Sequence, residues 1–115
     1  MNQYKKLDIV LIPFPFTDIK NQKLRPALLI SIPLEGVNHG IFAMITSSKK
    51  QTWQFDIELE NIDFLSQSNC ILRLGKVFTL DLRLAKKVIG NLQGFDNYKK
   101  QIKTNLTKLF EIERD

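Results

Sequence analysis

An arginine stands where a polar loop re-enters an apolar segment. The apolar segments Asp8–Phe16 and Ala27–Ile32 flank the polar loop Thr17–Leu24, and Arg25 and Pro26 follow that loop directly. Pro26 fixes its own φ and favours an extended backbone at Arg25. A guanidinium anchored there can point at a ligand under the loop, and its paired donors match the oxygens of a phosphate.

Hydroxyl side chains follow a second apolar segment. Thr46 and Ser47 come directly after it and are followed by Lys49 and Lys50. Hydroxyl or backbone N–H groups at a strand end can bind the remaining phosphate oxygens, and nearby lysines, with Lys23 of the first loop, can follow a nucleic-acid backbone. Cleavage of RNA without a metal uses the RNA's own 2′-hydroxyl as the nucleophile. The protein must then orient the phosphate, stabilise the charge on its non-bridging oxygens and manage two protons, and we expect no metal or other cofactor.

Each of these residues also has an ordinary structural interpretation. Arg25 can be a salt-bridged residue at the rim of the fold. Phe16 can stack on a splayed base, or it can pack in the core or a dimer interface. Trp53 has the same two interpretations, with a core position on a strand favoured.

Other common catalytic groups are scarce. His39 is the only histidine and lies in a Gly-flanked turn, so a surface position is expected. Cys70 is the only cysteine and is expected to be a buried, inert thiol. Four carboxylates could suggest a metal site, but their alternation with apolar residues favours an outward-facing acidic stripe. These carboxylates are Asp56, Glu58, Glu60 and Asp63.

The charge distribution favours an anionic partner. The net charge is +5, and residues 51–72 carry four acids and no base between two basic regions. Such clustering suits a polyanion or an acidic protein, although a solvated basic surface explains it equally well. No apolar run approaches the roughly 20 residues that cross a bilayer, and no signal-peptide pattern is found, so a cytoplasmic location is expected.

The elements that position these residues are short strands followed by one helix. The 115 residues are expected to form a single domain, 1–115. The continuous apolar run of the first strand predicts burial on both faces. The expected architecture is a mainly β, small barrel with a C-terminal α-helix. The strands are predicted at Asp8–Pro13, Ala27–Ile32, Ile41–Ile45, Trp53–Leu59, Asn69–Leu74, Val77–Leu80 and Lys86–Leu92. The helix is predicted at Phe95–Ile112, with one apolar face formed by Tyr98, Ile102, Leu106, Leu109 and Phe110.

The chain resembles MazF/PemK-type toxins of toxin–antitoxin pairs in the order of its segments and in its final amphipathic helix. The segments that carry the resemblance are IVLIPFPFTD, RPALLIS, AMITSS, FDIELE, CILRLGKVFTLD and VIGNL. The resemblance covers nearly the whole chain. It implies an SH3-like (PemK/CcdB-type) barrel, a homodimer, and a metal-independent endoribonuclease that cuts single-stranded RNA at short sequences. It also implies products with 2′,3′-cyclic phosphate and 5′-hydroxyl ends, and inhibition by an acidic antitoxin.

The resemblance also assigns roles to residues. Arg25 matches the family's catalytic arginine before proline, Thr46 matches its catalytic threonine, and Ser47 follows in a position that is often serine. Two positions depart from the family pattern: Leu7 replaces the usual Gly before Asp8, and Gly75 replaces an acidic residue before Lys76. Two alternatives stay open, a CcdB-like toxin that binds a protein such as a topoisomerase, and an inactive nucleic-acid-binding relative.

Overall fold

A curled antiparallel sheet and one helix make up the fold. The computed structural model describes residues 4–13, 23–47 and 51–111. Within these residues, six strands form a half-barrel in the order β4-β5-β3-β2-β1-β6. The strands are β1 (Asp8–Pro13), β2 (Leu24–Leu29), β3 (His39–Ser47), β4 (Ile57–Glu60), β5 (Asn69–Asp81) and β6 (Lys87–Asn91), and the helix is α1 (Asp96–Leu109). The predicted β-barrel class with a C-terminal helix is confirmed.

Strand β1 is buried on both faces, as its unbroken apolar run predicts. Ile9 belongs to a hydrophobic cluster on the side of α1, which also contains Ile102 of the helix. Val10 and Ile12 belong to a second cluster on the opposite side, with Phe42 of β3. All three β1 side chains are fully excluded from solvent. The central strands are therefore packed from both sides.

Strand β2 begins and ends three residues earlier than predicted, so it contains Arg25 and Pro26. Pro26 lies opposite Leu11 of β1, whereas the pairing of β2 with β3 begins only at Ala27. A proline, which has no N–H to donate, is therefore tolerated within β2. The strand ends because the Ser31 hydroxyl accepts a hydrogen bond from the Ile41 N–H at 3.0 Å.

The predicted strand Trp53–Leu59 is wrong over its first half. Only Ile57–Glu60 is a strand. The preceding residues form a turn in which the Asp56 N–H donates to the Trp53 carbonyl at 3.2 Å, and Phe55 has a φ of 70°. The predicted core position of Trp53 is therefore wrong, because this residue is 42% exposed.

Strand β5 runs through Gly75, where a break between two strands was predicted. Its pairing with β3 shifts between Ala43 and Met44, because three residues of β5, 74–76, are inserted there as a bulge. The helix was predicted to bury Phe110, but this residue is 61% exposed. The other predicted positions, Tyr98, Ile102, Leu106 and Leu109, pack on the first cluster.

Among the described residues, no helix is long and apolar enough to cross a membrane.

The contact between β6 and the β4–β5 connection provides a stability test. A Cβ atom at Gly90 would lie 2.4 Å from the Phe64 ring, whereas one at Gly94 would meet no atom within 4 Å. We expect Gly90→Ala to lower the free energy of unfolding by about 1–3 kcal/mol, because the ring must move within packed surroundings. Urea unfolding measures the change, with Gly94→Ala as the control. Equal unfolding midpoints for the two variants would contradict this packing.

Candidate functional site

Arg25 and Thr46 approach each other through the register of the sheet. The last paired residues of β2 and β3 are Ala27 and Met44. Arg25 and Thr46 lie two residues beyond this last pair, each on its own strand. Arg25 pairs with Ile12, Thr46 follows Met44 by two residues, and Ile12 and Met44 both pack in the second hydrophobic cluster. Because opposite residues of paired strands, and residues two apart on one strand, share a face, the Arg25 and Thr46 side chains leave the same face of the sheet. The two residues are 21 positions apart in the sequence.

Each member of this pair is also held by its other neighbouring strand. Arg25 lies opposite Ile12 of β1, and Thr46 lies opposite Ile71 of β5. Thr46 is only 6% exposed, which is unusual for a polar side chain. Arg25 is half-buried, and its Nε atom is shielded from solvent. Both polar groups therefore lie at a largely desolvated strand end, where electrostatic interactions are stronger than in water.

A cavity of about 270 Å³ lies at this end of the sheet. It is lined by four residues that the sequence analysis selected, Lys23, Arg25, Thr46 and Ser47. Lys23 is exposed at the rim, and Ser47 is half-buried. The other three selected residues, Phe16, Lys49 and Lys50, lie outside the described residues.

The opposite wall of the cavity was not predicted. It consists of Leu65, Ser66 and Gln67 in the β4–β5 connection and of Cys70 at the start of β5. Cys70 reaches the cavity because it pairs with Ser47. Burial raises the pKa of the Cys70 thiol, in agreement with its predicted inertness. No local pattern in the sequence marks residues 65–67, because their position depends on long-range strand pairing.

His39 lies far from this cavity. It begins β3, whereas Thr46 lies near the end of the same strand, which separates them by roughly 23 Å at about 3.3 Å per residue. Beside it, hydrogen bonds from Arg83 lower the pKa of Asp81 to about 2. The Arg83 side chain is the main cause of this shift, and the Arg83 N–H, which Asp81 accepts as the cap of the short 3₁₀ helix Leu82–Leu84, is the second cause. Neither group contributes to the cavity.

The acidic stripe predicted for residues 56–63 is only partly correct. Glu58, Glu60 and Asp63 are exposed, but the side chain of Asp56 is only 4% exposed. Asp56 turns inward because it forms a salt bridge with Arg73 of β5, with Nη2 and Oδ2 3.1 Å apart. Within residues 4–13, 23–47 and 51–111, no group of three or more His, Cys, Asp or Glu side chains could hold a metal ion.

A larger hollow of about 740 Å³ lies between α1 and the residues before β1. It contains none of the selected residues. Its lining combines buried Leu7 and Ile102 with Lys99, Lys100 and Lys103. The smaller cavity at the start of β2 and the end of β3 remains the candidate site, because a guanidinium, an ammonium and two hydroxyl groups converge there.

Solved structures share this fold. The chain is similar to a mycobacterial endoribonuclease solved in complex with its cognate antitoxin, with a TM-score of 0.73, 11% identity, and coverage of 97% of this chain and 99% of the other. It is similar to the Mycobacterium tuberculosis toxin MazF-mt6, with a TM-score of 0.69, 14% identity, and coverage of 93% and 99%. It is also similar to MazF from Deinococcus radiodurans, with a TM-score of 0.67, 20% identity, and coverage of 95% of this chain and 97% of the other.

A family model identifies the chain more directly than these structures do. A sequence search of curated proteins finds no match. The model that describes PemK-like, MazF-like toxins of type II toxin–antitoxin systems matches residues 5–110. This match includes every element of the sheet and the helix. The chain therefore belongs to the PemK/MazF family of type II toxins.

Proposed function

We propose that this toxin is a metal-independent endoribonuclease that cuts single-stranded RNA and leaves 2′,3′-cyclic phosphate and 5′-hydroxyl ends. The observation that carries the proposal is the convergence of Arg25 and Thr46, on adjacent strands, at one cavity. A guanidinium and a hydroxyl on one face can hold two oxygens of the same phosphate.

In the proposed reaction, the RNA 2′-oxygen bonds to phosphorus, loses its proton, and displaces the 5′-oxygen, which gains one. Arg25 binds and polarises the scissile phosphate. Thr46, with the hydroxyl or backbone N–H of Ser47, stabilises the charge that develops on a non-bridging oxygen. Preorganised hydrogen-bond donors in a desolvated site can supply much of an enzyme's rate enhancement, because they need not reorganise during the reaction.

The composition of the cavity supports an electrostatic mechanism. Among the described residues that line it, the ionisable side chains are Lys23, Arg25 and Cys70. The raised pKa of Cys70 keeps its thiol protonated near neutral pH, and guanidinium groups stay charged in proteins. The proposal therefore assigns most of the rate enhancement to phosphate positioning and charge stabilisation.

Lys23, at the exposed rim of the cavity, is proposed to contact the RNA backbone beside the scissile phosphate. The same role stays a prediction for Lys49 and Lys50, and base stacking stays a prediction for Phe16.

An acidic antitoxin and a second copy of the toxin are the proposed protein partners. The net charge of +5 is complementary to an acidic segment, and a mycobacterial endoribonuclease of this fold was solved with its antitoxin. We propose a homodimer that acts on RNA in the cytoplasm and that the antitoxin inhibits.

The decisive assay is cleavage of end-labelled, mixed-sequence RNA in EDTA. We expect discrete cuts by the natural protein, a loss of about 10²–10³-fold in rate for Thr46→Ala, and a loss of about 10³-fold or more for Arg25→Ala. Arg83→Ala is the matched control, because it also removes one arginine charge but lies on the exposed surface with Asp81. It should cut at the natural rate. Undiminished cutting by Arg25→Ala would place the chemistry elsewhere, and absence of cutting by the natural protein would favour a CcdB-like, protein-binding toxin.

Lys23 can be tested through the salt dependence of binding. The ligand is an RNA spanning a mapped cut, methylated on its 2′-oxygens so that it cannot be cleaved. Because one phosphate contact on a single strand changes the slope of log K against log salt by about 0.7, Lys23→Gln should flatten the slope by this amount. Fluorescence anisotropy between about 50 and 200 mM KCl measures this slope. Lys108→Gln, near the end of α1, should leave the slope unchanged.

A further inference from the structure

Trp53 is an exposed aromatic side chain that the proposed reaction leaves unused. It opens the turn before β4 and is 42% exposed. It is the only tryptophan of the chain. A large aromatic ring left in contact with water is a candidate for binding, because burying it against a ligand is favourable.

The guanidinium of Arg73 packs against one face of the Trp53 ring. The Arg73 guanidinium carbon lies 4.5 Å from the centroid of the indole, a cation–π contact. Arg73 is itself fixed, because its Nε and Nη2 donate to the two carboxylate oxygens of Asp56 at 3.3 and 3.1 Å. The side chains of this pair are only 7% and 4% exposed.

The backbone of Trp53 is tied to the same buried pair. Its N–H donates to Oδ2 of Asp56 at 2.8 Å. Arg73 also donates to the backbone carbonyl of Gln51. Ring and backbone are both restrained before any ligand binds, so little conformational entropy remains to be lost on binding.

The strand register places this ring beside the proposed cleavage site. Arg73 pairs with Met44, two residues before Thr46, while Ile71 pairs with Thr46 itself. Residues two apart on a strand share a face, so the Arg73 and Thr46 side chains leave the sheet on the same side, roughly 7 Å apart along the strand. Trp53, stacked on Arg73, lies within reach of a nucleotide that flanks the scissile phosphate.

Gly75 lies beside the ring. A Cβ atom at Gly75 would lie 3.4 Å from Cε3 of Trp53, at ordinary van der Waals distance from the indole edge. A carboxylate side chain at this position would add negative charge beside the ring and repel a phosphate backbone, whereas glycine adds no charge. Gly75 and Trp53 are therefore neighbouring parts of one surface.

We propose that Trp53 is a stacking platform for one unpaired base of the RNA strand, next to the phosphate bound by Arg25 and Thr46. The inference rests on the proposed function, because it takes single-stranded RNA as the ligand. Arg73 occupies one face of the indole, so the base stacks on the opposite face. Arg73 and Asp56 are positioning residues, since they act through Trp53.

The fluorescence of the single tryptophan tests the platform directly. The probe is the 2′-O-methylated RNA that spans a mapped cut, or mixed-sequence single-stranded RNA if no cut is found. We expect the RNA to quench the fluorescence of the natural protein and of Arg25→Ala. An abasic nucleotide moved along the RNA should abolish the quenching at one position only, which a purely structural role of Trp53 would not produce.

Substitutions give the energetic test. Trp53→Ala should weaken RNA binding by about 5- to 150-fold, and Trp53→Phe should restore most of the affinity, because stacking tolerates a change of ring. Phe110→Ala, which removes another exposed ring at the end of α1, should bind RNA normally. Urea unfolding checks that all variants fold.

The outcomes separate this inference from the proposed function. Normal cleavage in EDTA, with no quenching and no affinity loss in Trp53→Ala, would overturn the platform and leave the endoribonuclease intact. Loss of quenching at one abasic position only, without any cleavage, would support the platform and overturn the nuclease. Quenching by an acidic peptide but not by RNA would overturn the platform and assign Trp53 to a protein partner.

Discussion

The pairing of β3 with β2 on one side and with β5 on the other brings the strand residues of the candidate site together. Arg25 pairs with Ile12 of β1 and Thr46 with Ile71 of β5, and the two line one cavity just beyond the last β2–β3 pair, Ala27 and Met44. A slip of one residue would turn one of them to the opposite face. The hydrophobic clusters on both faces of the sheet resist such a slip, because a slipped β2 would move Leu28 out of one cluster and Ala27 and Leu29 out of the other.

The Arg73–Asp56 pair positions the backbone of the turn before β4 more than it stabilises the fold. Removing two charges from water is costly, and well-packed apolar side chains often replace a buried ion pair without loss of stability. The pair instead fixes the turn that follows the strand end at Thr46 and Ser47, because it binds the backbone at both Gln51 and Trp53. An apolar pair could fill the same volume, but it could not make these directional bonds to the backbone.

The sequence was sufficient to predict the parts that depend on local pattern. The continuous apolar run of β1 predicted burial on both faces, and the helical period predicted Ile102 as a core residue of α1. The positions of Arg25, Thr46 and Ser47 at the boundaries of apolar segments, together with the family resemblance, were enough to select residues that line one cavity.

Trp53 was misassigned because the alternation of the following strand extends through it. The interaction that stops the strand there joins Asp56 to a partner 17 residues away, and no local pattern contains that information. The wall formed by residues 65–67 could not be predicted for the same reason.

The two parts of the site differ in how freely they can change. The groups proposed to act on the phosphate depend on strand register, which cannot shift without disrupting the core on both faces. The proposed base platform depends on the surface turn that contains Trp53, next to Gly75 in the bulge of β5. Substitutions in the turn or the bulge can therefore alter which nucleotide is held without moving Arg25 or Thr46. Every RNA has the same phosphate, whereas its bases differ. In the proposed site the phosphate is therefore bound by residues of the paired strands, and a base is bound by the turn, which can vary.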